Sequence, residues 1–207
     1  MNKLLPLAWA GSAVAFVAYP ALRPYADETG LAGLSAMGSD RWLWAHLLGM
    51  LGFALLIPAT RSLAGGSLAR WGAILVLPYY GGETFGLHAI GAYATARQDP
   101  GLIEAVNGFR YQPVAITLFG LGLALLAVAG VRLIIGSRTA DRLTRSAAVL
   151  TGVGLALYLP QFFGGPGLRI GHGVILGVGC LLFAVAAIRH HPTSHQGQGE
   201  RLLLASP

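Results

Sequence analysis

The chain has 207 residues, of which 55% are hydrophobic and only 11% charged, with a formal net charge of +6. A soluble domain carries about 25% charged residues and the mean hydropathy here is +0.63, so a soluble enzyme, a disordered chain, a coiled coil and a collagen are excluded. A single cysteine, Cys180, excludes a disulfide framework and any CxxC pair, and the basic residues mark the ends of apolar runs instead of forming a face for nucleic acid.

A bilayer span needs about 20 mostly apolar residues whose backbone hydrogen bonds close internally. Six stretches qualify in chain order: 4–22, 42–59, 71–94, 113–135, 147–163 and 170–188. The expected fold is all-α, a polytopic transmembrane helical bundle of about six spans, with residues 1–188 as one domain and 189–207 as a polar, flexible C-terminal tail. The first stretch has one lysine and small residues near Ala18, as a signal peptide would. No strongly polar cleavage region follows it, and it reads as a retained helix.

Orientation follows the basic residues. With six spans, Lys3, Arg61, Arg70, Arg132, Arg138, Arg142, Arg145, Arg189 and Arg201 share one side, and Arg23, Arg41, Arg97, Arg110 and Arg169 the other. Nine against five puts both termini in the cytoplasm, with a bacterial-type plasma membrane as the expected location. The outer loops, 23–41 and 95–112, are the longer ones, and their half-apolar stretches are expected to form interfacial helices capping the bundle. Tail histidines His190, His191 and His195 read as solvated.

An internal echo runs through the spans. Leu77-Pro-Tyr-Tyr-Gly-Gly82 resembles Leu159-Pro-Gln-Phe-Phe-Gly-Gly165, and Gly52–Leu56 resembles Gly122–Leu126. Proline removes a backbone donor and the glycines loosen the helix further, so two helices bent at similar places are expected to open a cavity. Gly173 and Gly177, four apart, are the usual close-packing device of membrane helices.

Polar groups at bilayer depth are functional hypotheses by default. They are Glu83, His46, His88, Gln161 and His172, with Arg169 at the edge, and all fall in the outer halves of their spans. Glu83 lies 13 residues after Arg70, about 20 Å along a helix. Burial disfavours a bare carboxylate, so Glu83 is expected to carry a proton and serve as a general acid, unless Arg110 or Arg169 neutralises it. The rings of Trp42, Trp44, Tyr79, Tyr80, Phe85, Tyr158, Phe162 and Phe163 lie at similar depth. The run Asn107-Gly-Phe-Arg110-Tyr111-Gln112 enters the fourth span from the same side, as a lid would.

Several motifs are absent. No DDxxD-like acid cluster supports magnesium-assisted diphosphate chemistry. No Walker or dinucleotide glycine fingerprint, GxSxG or HExxH occurs, and no lysine lies inside a span. The expected chemistry needs no cofactor: Glu83 protonates an epoxide or alkene of a lipophilic substrate, ring faces stabilise the carbocation, and His46, His88, His172 or Gln161 accepts the final proton. Trp42, Trp44, Tyr79, Tyr80, Phe85, Asn107, Arg110, Tyr111, Tyr158, Phe162 and Arg169 are the expected substrate contacts.

The run Tyr79-Tyr80-Gly81-Gly82-Glu83-Thr84-Phe85, in a small polytopic chain with an intramembrane acid and no metal motif, resembles the compact membrane-bound terpene cyclases of meroterpenoid and drimentine-type pathways. That resemblance implies a helical bundle and acid-initiated cyclisation of a prenyl chain carried on an aromatic or indole group. The chain departs from the fungal members in having one acid at depth and one span fewer. Two further readings are a haem- or zinc-binding protein using His46, His88 and His172, and a non-enzymatic binder or transporter of small molecules.

Overall fold

The structure is a computed structural model, and it describes residues 4–189. Among the described residues nine α-helices follow in order: α1 Leu4–Leu22, α2 Leu31–Met37, α3 Asp40–Ala59, α4 Gly66–Gly81, α5 Leu87–Arg97, α6 Ile103–Arg110, α7 Pro113–Gly136, α8 Arg142–Ala156 and α9 Pro166–Arg189. No strand occurs among the described residues. Four helices, α1, α3, α7 and α9, are long and apolar enough to cross a membrane. His190, His191, His195 and nearly all of the expected tail lie outside the described residues, while Arg189 ends α9.

Helix starts are written locally. Ser39 accepts from the Trp42 N–H at the head of α3, Gln112 accepts from the Ala115 N–H with Pro113 in the first turn of α7, and Asp141 accepts from the Leu143 and Thr144 N–H groups of α8. Each side chain satisfies donors that a helix terminus leaves without a partner.

Six helices close a ring. α1 packs on α3, α3 on α4, α4 on α7, α7 on α8, α8 on α9, and α9 back on α1. The α1–α9 seam depends on small residues. A Cβ on Gly173 would stand 2.6 Å from the Phe16 carbonyl oxygen, and one on Gly177 2.9 Å from that of Ala13. The core inside the ring carries Trp9, Phe16, Phe53, Leu56, Leu126, Leu155 and Leu176. A second, smaller core of Leu34, Met37, Trp42, Leu87, Ala94 and Val106 sits where α2, α5 and α6 cover one end. The stretches 23–41 and 95–112 therefore both contain the expected short helices.

Two expected spans take different forms. Residues 66–97 run as one helical path of about 48 Å, interrupted by a π-turn over Gly82–Gly86 where the Leu87 N–H reaches back five residues to the Gly82 carbonyl. Pro78, three glycines and the Thr84 hydroxyl, which donates to the Tyr80 carbonyl at 2.6 Å, loosen the ladder there. The stretch expected to span 147–163 ends its α-helix at Ala156 and continues as a 3₁₀ turn over Pro160–Phe163. The echoed Leu-Pro pairs thus behave differently. Pro78 stays inside a continuing helix, whereas Pro160 follows a helix end and two glycines and Pro166 come soon after.

Candidate functional site

The π-turn points Glu83 into a chamber of about 480 Å³. α1 contributes Tyr19, α3 His46, α4 Tyr79 and Tyr80, α6 Arg110, α7 Ile116, Phe119 and Gly120, the 3₁₀ turn Phe162 and Phe163, and α9 Arg169. Arg23 and Glu28 enter from the loop after α1, Leu159 from the end of α8, and Tyr111 from the chain between α6 and α7. Tyr111 and Phe163, 71% and 87% exposed, stand at the mouth. The α4–α5 path and the turn after α8 both line the chamber, so the two echoed segments do flank a cavity, although only the first is a bent helix.

The polar end of the chamber is one charge network. Arg110 meets Glu83 with two parallel bonds, Nε to Oε1 at 2.8 Å and Nη2 to Oε2 at 3.0 Å, and its Nη1 donates to Glu28. The other oxygen of Glu28 accepts from Arg23. This fork-on-fork geometry is the strong form of an ion pair. The Glu83 and Arg110 side chains are 10% and 16% exposed. Burial alone would push Glu28 up, but Arg23 and Arg110 beside it outweigh burial and hold its carboxyl below the usual range. Burial would likewise lower Arg110, and Glu83 and Glu28 reverse it, so the guanidinium is held more firmly protonated. Of the two partners anticipated for Glu83, the structure selects Arg110, so the carboxyl group is paired and not free.

Trp42 anchors this network without lining the chamber. Its indole N–H donates to the Glu83 carbonyl at 2.7 Å, and its ring lies 4.8 Å from the Arg23 guanidinium carbon and 5.8 Å from that of Arg110. Gly82 lets α6 close over the π-turn. A Cβ there would stand 2.0 Å from the Phe109 ring, so that ring would have to shift.

The remaining walls are rings. Tyr79 stacks on Phe119 with centroids 4.2 Å apart, Phe119 leans on Phe162 at 5.9 Å, and Tyr19 meets the His46 ring edge-on at 5.3 Å. Behind them Tyr80 and Tyr158 share a buried hydroxyl bond of 3.0 Å. A water-sized void of about 10 Å³ lies alongside, lined in part by Tyr19, Tyr158, Gln161, Arg169 and His172.

The expected site residues divide accordingly. Glu83, His46, Tyr79, Tyr80, Arg110, Tyr111, Phe162 and Arg169 line the chamber, whereas Tyr158, Gln161 and His172 line the small void beside it. His88, Asn107, Trp44 and Phe85 do not line the chamber, and Trp44 and Phe85 are 61% and 55% exposed. His88 is the second residue of α5, past the π-turn, and its buried Nδ1 has no hydrogen-bond partner. His46, His88 and His172, the residues of the alternative haem or zinc reading, are not gathered into one metal-holding group. His46 Nδ1 is engaged with the Trp42 carbonyl at 2.8 Å and His172 Nε2 with the Gly154 carbonyl at 2.7 Å. Among the described residues no group of three or more His, Cys, Asp or Glu side chains is placed to hold a metal ion.

Sequence reasoning passed over Arg23, Glu28, Tyr19 and Phe119. Arg23 and Glu28 had counted only as loop charges. Their signal was the charge balance of residues 23–41 and 95–112, five acids, Asp27, Glu28, Asp40, Asp99 and Glu104, against four arginines, Arg23, Arg41, Arg97 and Arg110, a balance that allows internal pairing.

Comparison with protein-family models, with curated proteins and with solved structures finds no match for this chain. The described residues form helices and no strand, four of these helices are long and apolar enough to cross a membrane, and they line a ring-walled chamber with paired arginines and glutamates at one end.

Proposed function

We propose that this chain is an integral membrane protein of a bacterial-type plasma membrane, and that its chamber takes up a lipophilic small molecule of the prenyl or terpenoid class. Its six spans are α1, α3, the α4–α5 path, α7, α8 with its following turn, and α9, and both termini face the cytoplasm. Support for six comes from the closed ring, which these same helices form. An even number of passes returns both termini to the side richer in arginine. The observation that carries the binding reading is the chamber itself, whose 480 Å³ lies in the range of small-molecule sites and whose walls are rings with a few convergent polar groups.

The reaction such walls favour is cyclisation or isomerisation through a cation. The faces of Tyr79, Phe119 and Phe162 stabilise positive charge on a carbon skeleton, and Glu83 handles the proton. Its pairing with Arg110 sets a condition, because an ion-paired carboxylate must accept a proton before it gives one. Arg110 swings from Glu83 as the substrate enters, Glu83 takes a proton at the chamber mouth and passes it to an alkene or epoxide, and the product cation returns one. Release of that proton at the chamber mouth restores the carboxylate and its pairing with Arg110. No cofactor is required by this sequence of steps.

The same ion pair favours a second reading, a binder or carrier in which Glu83 only holds Arg110 in place. Glu83→Gln separates the two. Purified protein in nanodiscs is supplied with prenylated aromatic or epoxy-prenyl substrates, and the cyclase reading expects product formation to fall at least about a hundredfold with substrate binding retained. Turnover that survives the substitution refutes the catalytic role. Binding without turnover by the unmodified protein, across the substrate panel, leaves the carrier.

A further inference from the structure

We propose that the chamber recognises the head of its ligand as an anion, a single carboxylate or phosphate monoester on a lipophilic chain. The inference rests on the reading that the chamber takes a lipophilic small molecule and adds the chemistry of that molecule's polar end.

The chamber carries more positive than negative charge. Three guanidinium groups line it, those of Arg23, Arg110 and Arg169, against two carboxylates, Glu28 and Glu83. Glu28 bridges Arg23 and Arg110, and Glu83 takes the remaining fork of Arg110, so both carboxylates are spent on two of the three cations. Arg169 has no carboxylate partner among the described residues. Its Nε and Nη2 donate to the carbonyls of Gly164 and Phe162, which fix the group without neutralising it. A guanidinium has five N–H donors, so hydrogens remain for a ligand.

Arg23 adds an independent sign of a missing acceptor. Its side chain is only 9% exposed, and its buried Nε has no hydrogen-bond partner among the described residues. The Tyr25 ring lies 5.4 Å from the Arg23 guanidinium carbon and 5.9 Å from that of Arg169, which ties the two groups to one end of the chamber. A charge walled by rings and hydrocarbon is costly to leave unpaired, and arginine forks match the oxygens of carboxylate and phosphate. A cationic ligand would add to the excess. A bare inorganic anion would leave the wall of Ile116, Phe119 and Leu159 uncovered, so the anion belongs on an apolar chain.

The test uses the full chain in phosphatidylcholine nanodiscs, titrated with farnesoic acid, farnesyl phosphate and farnesol, which share one chain and differ in the head. Binding is read by equilibrium dialysis. The two anions are expected to bind at least about tenfold tighter than the alcohol, as charge-assisted hydrogen bonds require. Arg169→Gln is expected to bring that ratio to within about twofold, and Arg169→Lys, which keeps the charge, to retain part of it. Comparing ratios between proteins cancels the unequal partitioning of the three probes into lipid. Anions that bind no tighter than farnesol overturn the inference and leave the chamber as a lipophile site. Failure of all three probes to saturate the protein removes the chamber reading as well. Adding phosphatidylglycerol to the nanodiscs identifies the source. Competition with farnesyl phosphate makes a lipid phosphate the occupant, unchanged affinity makes it a free amphiphile, and either result upholds the anion site.

Discussion

Arg110 joins three separated parts of the chain: α6, which carries it, the π-turn through Glu83, and the loop after α1 through Glu28. Arg110→Met keeps the aliphatic stem and removes every one of these bonds. Removing one partner of a buried pair costs about 3–5 kcal/mol, because the charge left behind has neither water nor a counterion. Most of that cost falls on Glu83, whose side chain is 10% exposed. Glu28 is 25% exposed, keeps Arg23 and is partly screened by water, so it adds little. Glu83→Gln is milder, at about 1–3 kcal/mol, since Arg110 then retains Glu28 and can still donate to the amide oxygen.

The protein contains its own reporter for this experiment. Cys180 is the only cysteine of the chain and is fully buried in α9, so a thiol-reactive fluorophore labels it only as the ring of helices opens. Unfolding followed by this label in identical nanodiscs should rank Arg110→Met below Glu83→Gln and both below the unmodified chain. The double variant should lose less than the sum of the two by at least about 1 kcal/mol, the signature of direct coupling. Additive losses, or an Arg110→Met protein within about 0.5 kcal/mol of the parent, would show that the fork does not hold α6 to the π-turn.

Tyr80→Phe should cost about 1–3 kcal/mol by leaving the buried Tyr158 hydroxyl without its partner. The Tyr80→Phe, Tyr158→Phe pair should recover most of that loss, and Cys180 labelling reads both; a double variant no better than the single would mean that the hydroxyl bond is not what the single change removes. Glu28 supplies a pH dependence. Its carboxyl titrates lower in the folded chain than in the unfolded one because Arg23 and Arg110 outweigh burial. Its contribution is therefore complete above the ordinary glutamate range and is lost as pH falls through the lowered value. Acid titration of unfolding should show this loss in the parent and a weaker one in Glu28→Gln, and equal acid sensitivity would contradict the pairing.

Much of the architecture was legible because length and hydropathy act locally. α1 and α7 begin where the apolar runs begin, and the two short cap helices lie in the loops flagged as half-apolar. What the pattern missed were conformations decided by neighbours. Leu-Pro occurs in both echoed segments, yet only at Pro160 does the α-helix end before the proline, with two glycines and Pro166 close behind. Around Pro78 the helix continues and yields a π-turn, which the Trp42 indole and the Thr84 hydroxyl support with hydrogen bonds from side chains. No window of sequence contains Trp42 and Glu83 together. The same limit applies to the site. Depth along a span brought Glu83, His46, Tyr79 and Arg169 to one layer, but rotation about the helix axis decides which members face inward. It turned Trp44 and Phe85 out and left His88 off the chamber.

The arginines make the general point. Sorting them by side treats each as a marker of topology, and Arg41 and Arg97 fit that role, being exposed at helix ends. Arg23, Arg110 and Arg169 sit on the same side and behave otherwise, folded back into a ring-walled chamber. In the proposed orientation this is the side that the positive-inside rule assigns to fewer basic residues, so topology supplies no reason for an arginine to be there and each one needs a local cause. For Arg23 and Arg110 that cause is Glu28 and Glu83. For Arg169 the described residues supply two carbonyls and no counter-charge, and the missing negative charge is what a ligand entering the chamber has to bring.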